Sequence, residues 1–168
     1  YIAADTWVNA EAVGFPAIEH PKDAPARGHG GWIDSIEQID RLPLPDPERS
    51  GRWPLMIEAV RHAVELAGDD IAVVGNFDQS PFDLACQLRE INRFMLDLID
   101  NPPFAHRLLA YCAEAIARYA IALGRAGEAA VESHSRLQRE GNGAVGAGGR
   151  FVGSLGDPDL IAAGRGIH

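Results

Sequence analysis

Residues 71–84 read IAVVGNFDQSPFDL, and the interpretation of this stretch decides the fold. Ile71 to Gly75 is an apolar run without polar alternation, the pattern of a parallel strand buried on both faces. Pro81 falls at the start of the next helix, where a missing N–H costs nothing, with Asp78 and Ser80 as caps. Asn76, Asp78, Gln79 and Ser80 then cluster at the C-terminal end of the strand. In α/β barrels and open α/β sheets, ligands bind at that end. The expectation is therefore a fully buried strand at 71–75 whose following residues line a cleft. An ordinary βα turn would use the same residue types as caps, so these residues alone leave both readings open.

Outward from this point, the periodicity gives a βα order with one extra helix. Toward the N-terminus, residues 5–13 read as a short helix ended by Gly14, and residues 15–31 as a connection rich in Pro, Gly and His. Residues 34–41 form a helical turn that stops at LPLPDP, where each proline restricts its predecessor. A helix from Pro54 to Ala67 would bury Leu55, Met56, Ala59, Val60, Ala63 and Val64. Beyond the strand, a helix from Pro81 to about Ile99 would bury Leu84, Ala85, Leu88, Ile91, Met95 and Leu98. The next opens at NPPF with Asn101 as N-cap, buries Leu108, Leu109, Cys112, Ile116, Tyr119 and Leu123, and stops at Gly127. Ala129–Val131 would open another strand. The polar, glycine-rich ESHSRLQREGNGAVGAGGRF that follows lacks this rhythm. One domain over 1–168 is expected, incomplete, with segments missing between 131 and 151. The opening at Tyr1, without a methionine, agrees with that expectation.

Composition sets the broad class. Hydrophobic residues make up 46% and charged residues 23%, enough apolar material for a core. No apolar run is long enough to span a bilayer and no secretory signal pattern opens the chain, so a membrane partner is not expected. A formal net charge of −9 argues against a nucleic-acid partner. Cys86 and Cys112 fall on apolar helical faces and read as reduced core residues of a cytoplasmic protein.

Several segments together resemble the uroporphyrinogen decarboxylase superfamily, which includes methylcobamide:coenzyme M methyltransferases. They are D-x-x-x-x-A-E-A-x-G (Asp5, Ala10 to Ala12, Gly14), DSIEQIDRLPLPDPERSGRWPLMIEAV, VVGNFDQSPFDLACQL, LIDNPPFAHRLL and IALGRAGEAAV. Their order and spacing carry the likeness over residues 5–131, and GGRFVGSLGD (148–157) is similar to a late strand of the same fold. The resemblance implies a (β/α)8 TIM-barrel-like fold, incomplete here because a closed barrel takes about 250 residues. It implies a small-molecule tetrapyrrole or methylcorrinoid substrate, and it admits a corrinoid protein partner and a homodimer.

The same resemblance assigns residues. Asp5 matches the essential decarboxylase aspartate, whose carboxylate accepts pyrrole N–H groups and balances a developing cation; the alternative is a helix cap. Substrate contacts are expected at Gln87 from the resemblance, at Asn76, Asp78 and Gln79 from their place after the strand, and at Arg27 as a loop arginine able to bind a carboxylate. Gln87 stands where the decarboxylase carries a substrate-touching tyrosine, and an amide cannot supply a phenol. This departure favours the methyltransferase branch, methyl transfer to a thiol, over uroporphyrinogen decarboxylation. A non-catalytic tetrapyrrole- or corrinoid-binding protein is the third reading. Methyltransferases of the family use zinc held by His-x-Cys and a later cysteine. Here Arg136 stands two residues after His134, Asp157 takes the later position, and no zinc ligands are identifiable. His20, His29, His62, His106 and His168 read as surface or boundary residues, and Trp7, Trp32 and Trp53 as packing or loop anchors.

Overall fold

The computed structural model describes residues 4–67, 71–76 and 79–141, with side chains described up to Glu128. Six helices and a two-stranded sheet follow the order α1 (Val8–Val13), β1 (Ile18–Glu19), β2 (Arg27–Gly28), α2 (Ile36–Arg41), α3 (Trp53–Ala67), α4 (Pro81–Arg89), α5 (Ile91–Asp100) and α6 (Pro102–Gly141). The strands pair antiparallel, with Ile18 opposite Gly28 and Glu19 opposite Arg27. The described residues are thus helical with a small sheet, and the strand–helix alternation of a barrel is not present among them. No helix among them is long and apolar enough to cross a membrane.

Local signals explain where two of the helices start and where one ends. Ser35 and Ser80 each form a capping box, with Gln38 and Asp83 respectively, and Pro81 occupies the first turn of α4. Gly14 closes α1 at φ 96°, a conformation that costs glycine little.

Helix α6 is 40 residues long, about 60 Å at 1.5 Å per residue, and organises the core. Its first half packs Phe104, Leu108, Cys112 and Ile116 with Leu84, Ala85 and Leu88 of α4, Phe94 of α5 and Ile39 of α2. Around and just beyond its midpoint it packs Tyr119, Leu123 and Ala126 with Trp53, Met56, Val60 and Val64 of α3. Trp53 and Tyr119 stack with ring centroids 4.8 Å apart. Helix α1 joins both clusters, giving Ala10 and Val13 to the first and Val8 and Ala12 to the second.

Four expectations are corrected. The stretch 71–75 is not a strand buried on both faces: single bridge positions occur at Val73 and Gly75. Ile71 is 64% exposed and Ala72 is exposed too, while Val73 joins the α3–α6 core, Val74 is half-buried and Gly75 is buried, so burial is confined to the later part of the segment. In α3 the buried stripe is Trp53, Met56, Ile57, Val60 and Val64, and Leu55 faces solvent. Gly127 does not stop α6, and Ala129–Val131 lies inside that helix rather than opening a strand. One glycine costs a helix only about 1 kcal/mol, and the flanking alanines and glutamates are good helix formers. The helix continues to Gly141, so the first part of the polar stretch is helical; residues 142–151 and GGRFVGSLGD lie outside the described residues.

The fourth correction bears on the site. The helix expected from Pro81 to Ile99 breaks at Glu90, which adopts φ 78° and ψ 134°. In an unbroken helix the Leu88 carbonyl would accept from Asn92. Here it accepts from the N–H groups of Trp32 (2.8 Å) and Ile33 (3.0 Å), while Asn92 and Arg93 donate to the Glu90 carboxylate (3.1 and 3.2 Å). A Cβ on Gly31 would collide with the Arg89 carbonyl, so only glycine lets this loop dock. After the break, Ile91 and Met95 are exposed, and Phe94 and Asp97 point inward instead.

Candidate functional site

A cleft of about 620 Å³ opens between the entry to α1, the loop after β2 and the α4–α5 break. Thr6 and Trp7 form one wall, Gly28 and Gly30 a second, and Gln79, Phe82, Asp83, Cys86, Gln87, Glu90 and Ile91 the third. The α4 residues reach it together because positions three and four apart share a helix face. Trp7 is held against Phe15 at 5.7 Å between centroids, and Gly28 lies so close to its ring that a Cβ would collide with it.

Gln79 and Gln87 are the predicted residues brought together here. Both donate to the backbone carbonyl of Thr6, Gln87 at 2.7 Å. Gln79 also accepts from Asn9 Nδ2 at 3.0 Å, and Asn9 Oδ1 accepts from the Trp53 indole at 3.0 Å. Asn9 is only 1% exposed and was not singled out in the sequence; a polar residue between apolar ones on a short helix was the available signal. The buried Oε1 of Gln87 has no hydrogen-bond partner among the described residues.

The remaining predicted residues lie elsewhere. Asp5 is outside the cleft lining, although its neighbour Thr6 is part of it. Its carboxylate accepts both arms of the Arg52 guanidinium (2.6 and 3.1 Å) and the Trp7 N–H (2.9 Å). The Arg52 hydrogen bond is the main reason that the Asp5 carboxyl is held below the usual range, against a smaller opposing effect of burial. Trp7 rather than Asp5 is the N-cap of α1, and no side chain caps that helix. Arg27 lies on β2, is mostly exposed and pairs with Glu19 at 3.0 Å. Asn76 is half-buried and outside the lining, and Asp78 lies outside the described residues.

No cluster of three or more His, Cys, Asp or Glu residues that could hold a metal ion occurs among the described residues. Burial pushes the thiols of Cys86 and Cys112 up, away from the thiolate form that zinc requires. The residues described here therefore do not fit a zinc site. The His134 side chain and Asp157 lie outside the described residues.

The uroporphyrinogen decarboxylase (URO-D) family model matches residues 1–133. The chain belongs to this family. A uroporphyrinogen decarboxylase of Alkalilimnicola ehrlichii is 30% identical over 134 residues, covering 76% of this chain and 35% of that protein. Among solved structures, a methyltransferase from Methanosarcina mazei matches with a TM-score of 0.60 and 28% identity, covering 72% of this chain and 35% of the other. The chain thus spans about a third of the length of the relatives it matches. Within the URO-D family, the match covers α1 to most of α6, so the cleft and the Asp5–Arg52 pair lie inside the shared region.

Proposed function

We propose that this chain is part of a (β/α)8-barrel enzyme of the URO-D family's methyltransferase-like branch, transferring a methyl group from a corrinoid or similar donor to a thiol. The observation that carries the reading is the charge of the cleft. Its described lining holds Asp83 and Glu90 but no lysine, arginine or histidine. A substrate as rich in carboxylates as uroporphyrinogen needs cationic partners when it leaves water. The amide of Gln87, in place of a phenol, points the same way. In the reaction, the thiol sulfur supplies the electron pair of the new S–C bond. The donor keeps the pair of the bond that breaks, and the thiol proton passes to solvent. The two free cysteines, Cys86 and Cys112, fit a reducing compartment and hence a cytoplasmic enzyme.

The test is to incubate the purified full-length protein with a methylcorrinoid and a thiol and to follow the methyl thioether by mass spectrometry. Thioether formation is the expected result. Release of carbon dioxide from uroporphyrinogen, without thiol methylation, would overturn it.

Decarboxylation is the second reading, favoured by the name of the curated relative. It would use Asp5, which Arg52 holds in its ionised form, to balance positive charge developing on a pyrrole. The two readings therefore differ in what they ask of Asp5.

A further inference from the structure

The cleft wall at Thr6 and Trp7 enters α1 without a side-chain cap, so its place is set by contacts from elsewhere. Gln79 and Gln87, just before and within α4, donate to the Thr6 carbonyl. The backbone of Trp7 is held through Asp5. Asp5 Oδ1 accepts the Trp7 N–H at 2.9 Å and Arg52 Nη2 at 3.1 Å, so a single oxygen ties the guanidinium to the wall.

Arg52 grips this segment on both sides of the wall. Its Nη1 donates to Asp5 Oδ2 at 2.6 Å, and its Nε donates to Glu11 on α1. A planar guanidinium with three nitrogens engaged by two carboxylates has one orientation, which a lysine ammonium cannot reproduce. The residues beside it press on the same helix. Trp53 donates to Asn9, and Gly51, at φ 51°, lies so close to the Ala12 backbone that a Cβ would collide with it. The turn before α3 thus fixes where α1 begins. Arg52 is not among the cleft-lining residues, so it reaches the site through Asp5 and Glu11. The side chains of Arg52, Asp5 and Glu11 are 29%, 25% and 27% exposed. Without the guanidinium the two carboxylates can be hydrated, and the fold should survive its loss.

We propose that Arg52 is a positioning residue of the cleft: through Asp5 and Glu11 it sets the place of the Thr6–Trp7 wall, and with it ligand affinity, without touching the ligand. The proposal rests on the cleft being where the methyl-transfer substrates bind.

Two thiols separate a displaced wall from a weakened fold. Cys86 lines the cleft, whereas Cys112 is 0% exposed in the core. Full-length parent and Arg52→Gln are alkylated with iodoacetamide in native buffer, and each cysteine is followed by peptide mass spectrometry. Cys86 should react at least about three-fold faster in the variant while Cys112 is unchanged, because local opening exposes only the first. Methyl transfer from methylcobalamin to 2-mercaptoethanol should show a thiol KM raised about five-fold with kcat within about two-fold, the mark of lost binding contacts. Arg52→Lys keeps the charge without the fork and should shift both readouts in the same direction by less; it carries the test if Arg52→Gln does not fold. Acceleration of both cysteines together, or of neither, would overturn the proposal, as would an unchanged KM in a variant that methylates the thiol. Faster Cys86 alone, in a protein that methylates no thiol, supports the role of Arg52 and removes the methyl-transfer reading.

Discussion

Replacing Gln87 by methionine should leave the unliganded protein as stable as the parent or more so, although it deletes a hydrogen bond. The two side chains are similar in length and in helix propensity, so packing and backbone terms nearly cancel. The loss is the 2.7 Å bond to the Thr6 carbonyl, about 1 kcal/mol, and that carbonyl still accepts from Gln79. The gain is removal of a buried carbonyl oxygen with no donor, which costs about 1–3 kcal/mol. The net expectation is about 0–2 kcal/mol of stabilisation. The same change at Gln79 should go the other way. Gln79 Oε1 accepts from the buried Asn9 amide, and stranding that donor should cost about 1–3 kcal/mol. Urea unfolding of the full-length parent and both variants measures the pair, with an unchanged m-value confirming that stability moved. A Gln87→Met protein less stable than the parent by more than about 1 kcal/mol would refute the reasoning, because Oε1 would then have to be satisfied in the free protein.

Three further outcomes follow from other contacts. Asp5→Asn keeps the acceptor for the Trp7 N–H but loses the charge facing Arg52, and should cost about 1–2 kcal/mol at neutral pH. Because the folded pKa of Asp5 is depressed, this difference exists above its usual value of 3.8 and vanishes as pH falls through the lower folded value. Stability curves of both proteins against pH check the sign, and thiol methylation by the folded variant should stay within about three-fold, whereas a hundred-fold loss would return Asp5 to the chemistry. Arg89→Met should cost about 3–5 kcal/mol by thermal unfolding. It leaves Asp97, 8% exposed, without its two-armed partner and removes a guanidinium 4.8 Å from the Phe104 ring centroid. At Glu90, glycine and alanine both lose the cap on α5, but alanine also keeps the cost of φ 78°, so Glu90→Gly should be more stable than Glu90→Ala by about 1 kcal/mol. Equal stabilities in denaturant would show that the backbone is not strained there.

Periodicity and capping chemistry by themselves announced the helical segments, apart from the division between α4 and α5, and some of their boundaries: Ser80 and Pro81 announce α4, and Gly14 ends α1. These are short-range effects, set within about one turn of chain, and therefore legible in order of residues. The ordered segments from Asp5 to Val131 also fixed family membership, which the match over residues 1–133 bears out. Tertiary structure decided what depended on residues far apart. The break at Glu90 arises because a loop some sixty positions earlier captures the Leu88 carbonyl, and no helical pattern reports that competition. The partial burial at 71–75 likewise reflects which neighbours are available, whereas an apolar run records only that burial is favourable. Gln79 and Gln87 could be nominated from their spacing around Pro81. That both bind Thr6, that Asn9 and Trp53 orient one of them, and that the buried Oε1 of Gln87 is left without a donor among the described residues required donors and acceptors to be counted in space. Asp5 shows the same limit, because its sequence position predicts a carboxylate near the site while only the fold reveals the Arg52 guanidinium that occupies both its oxygens.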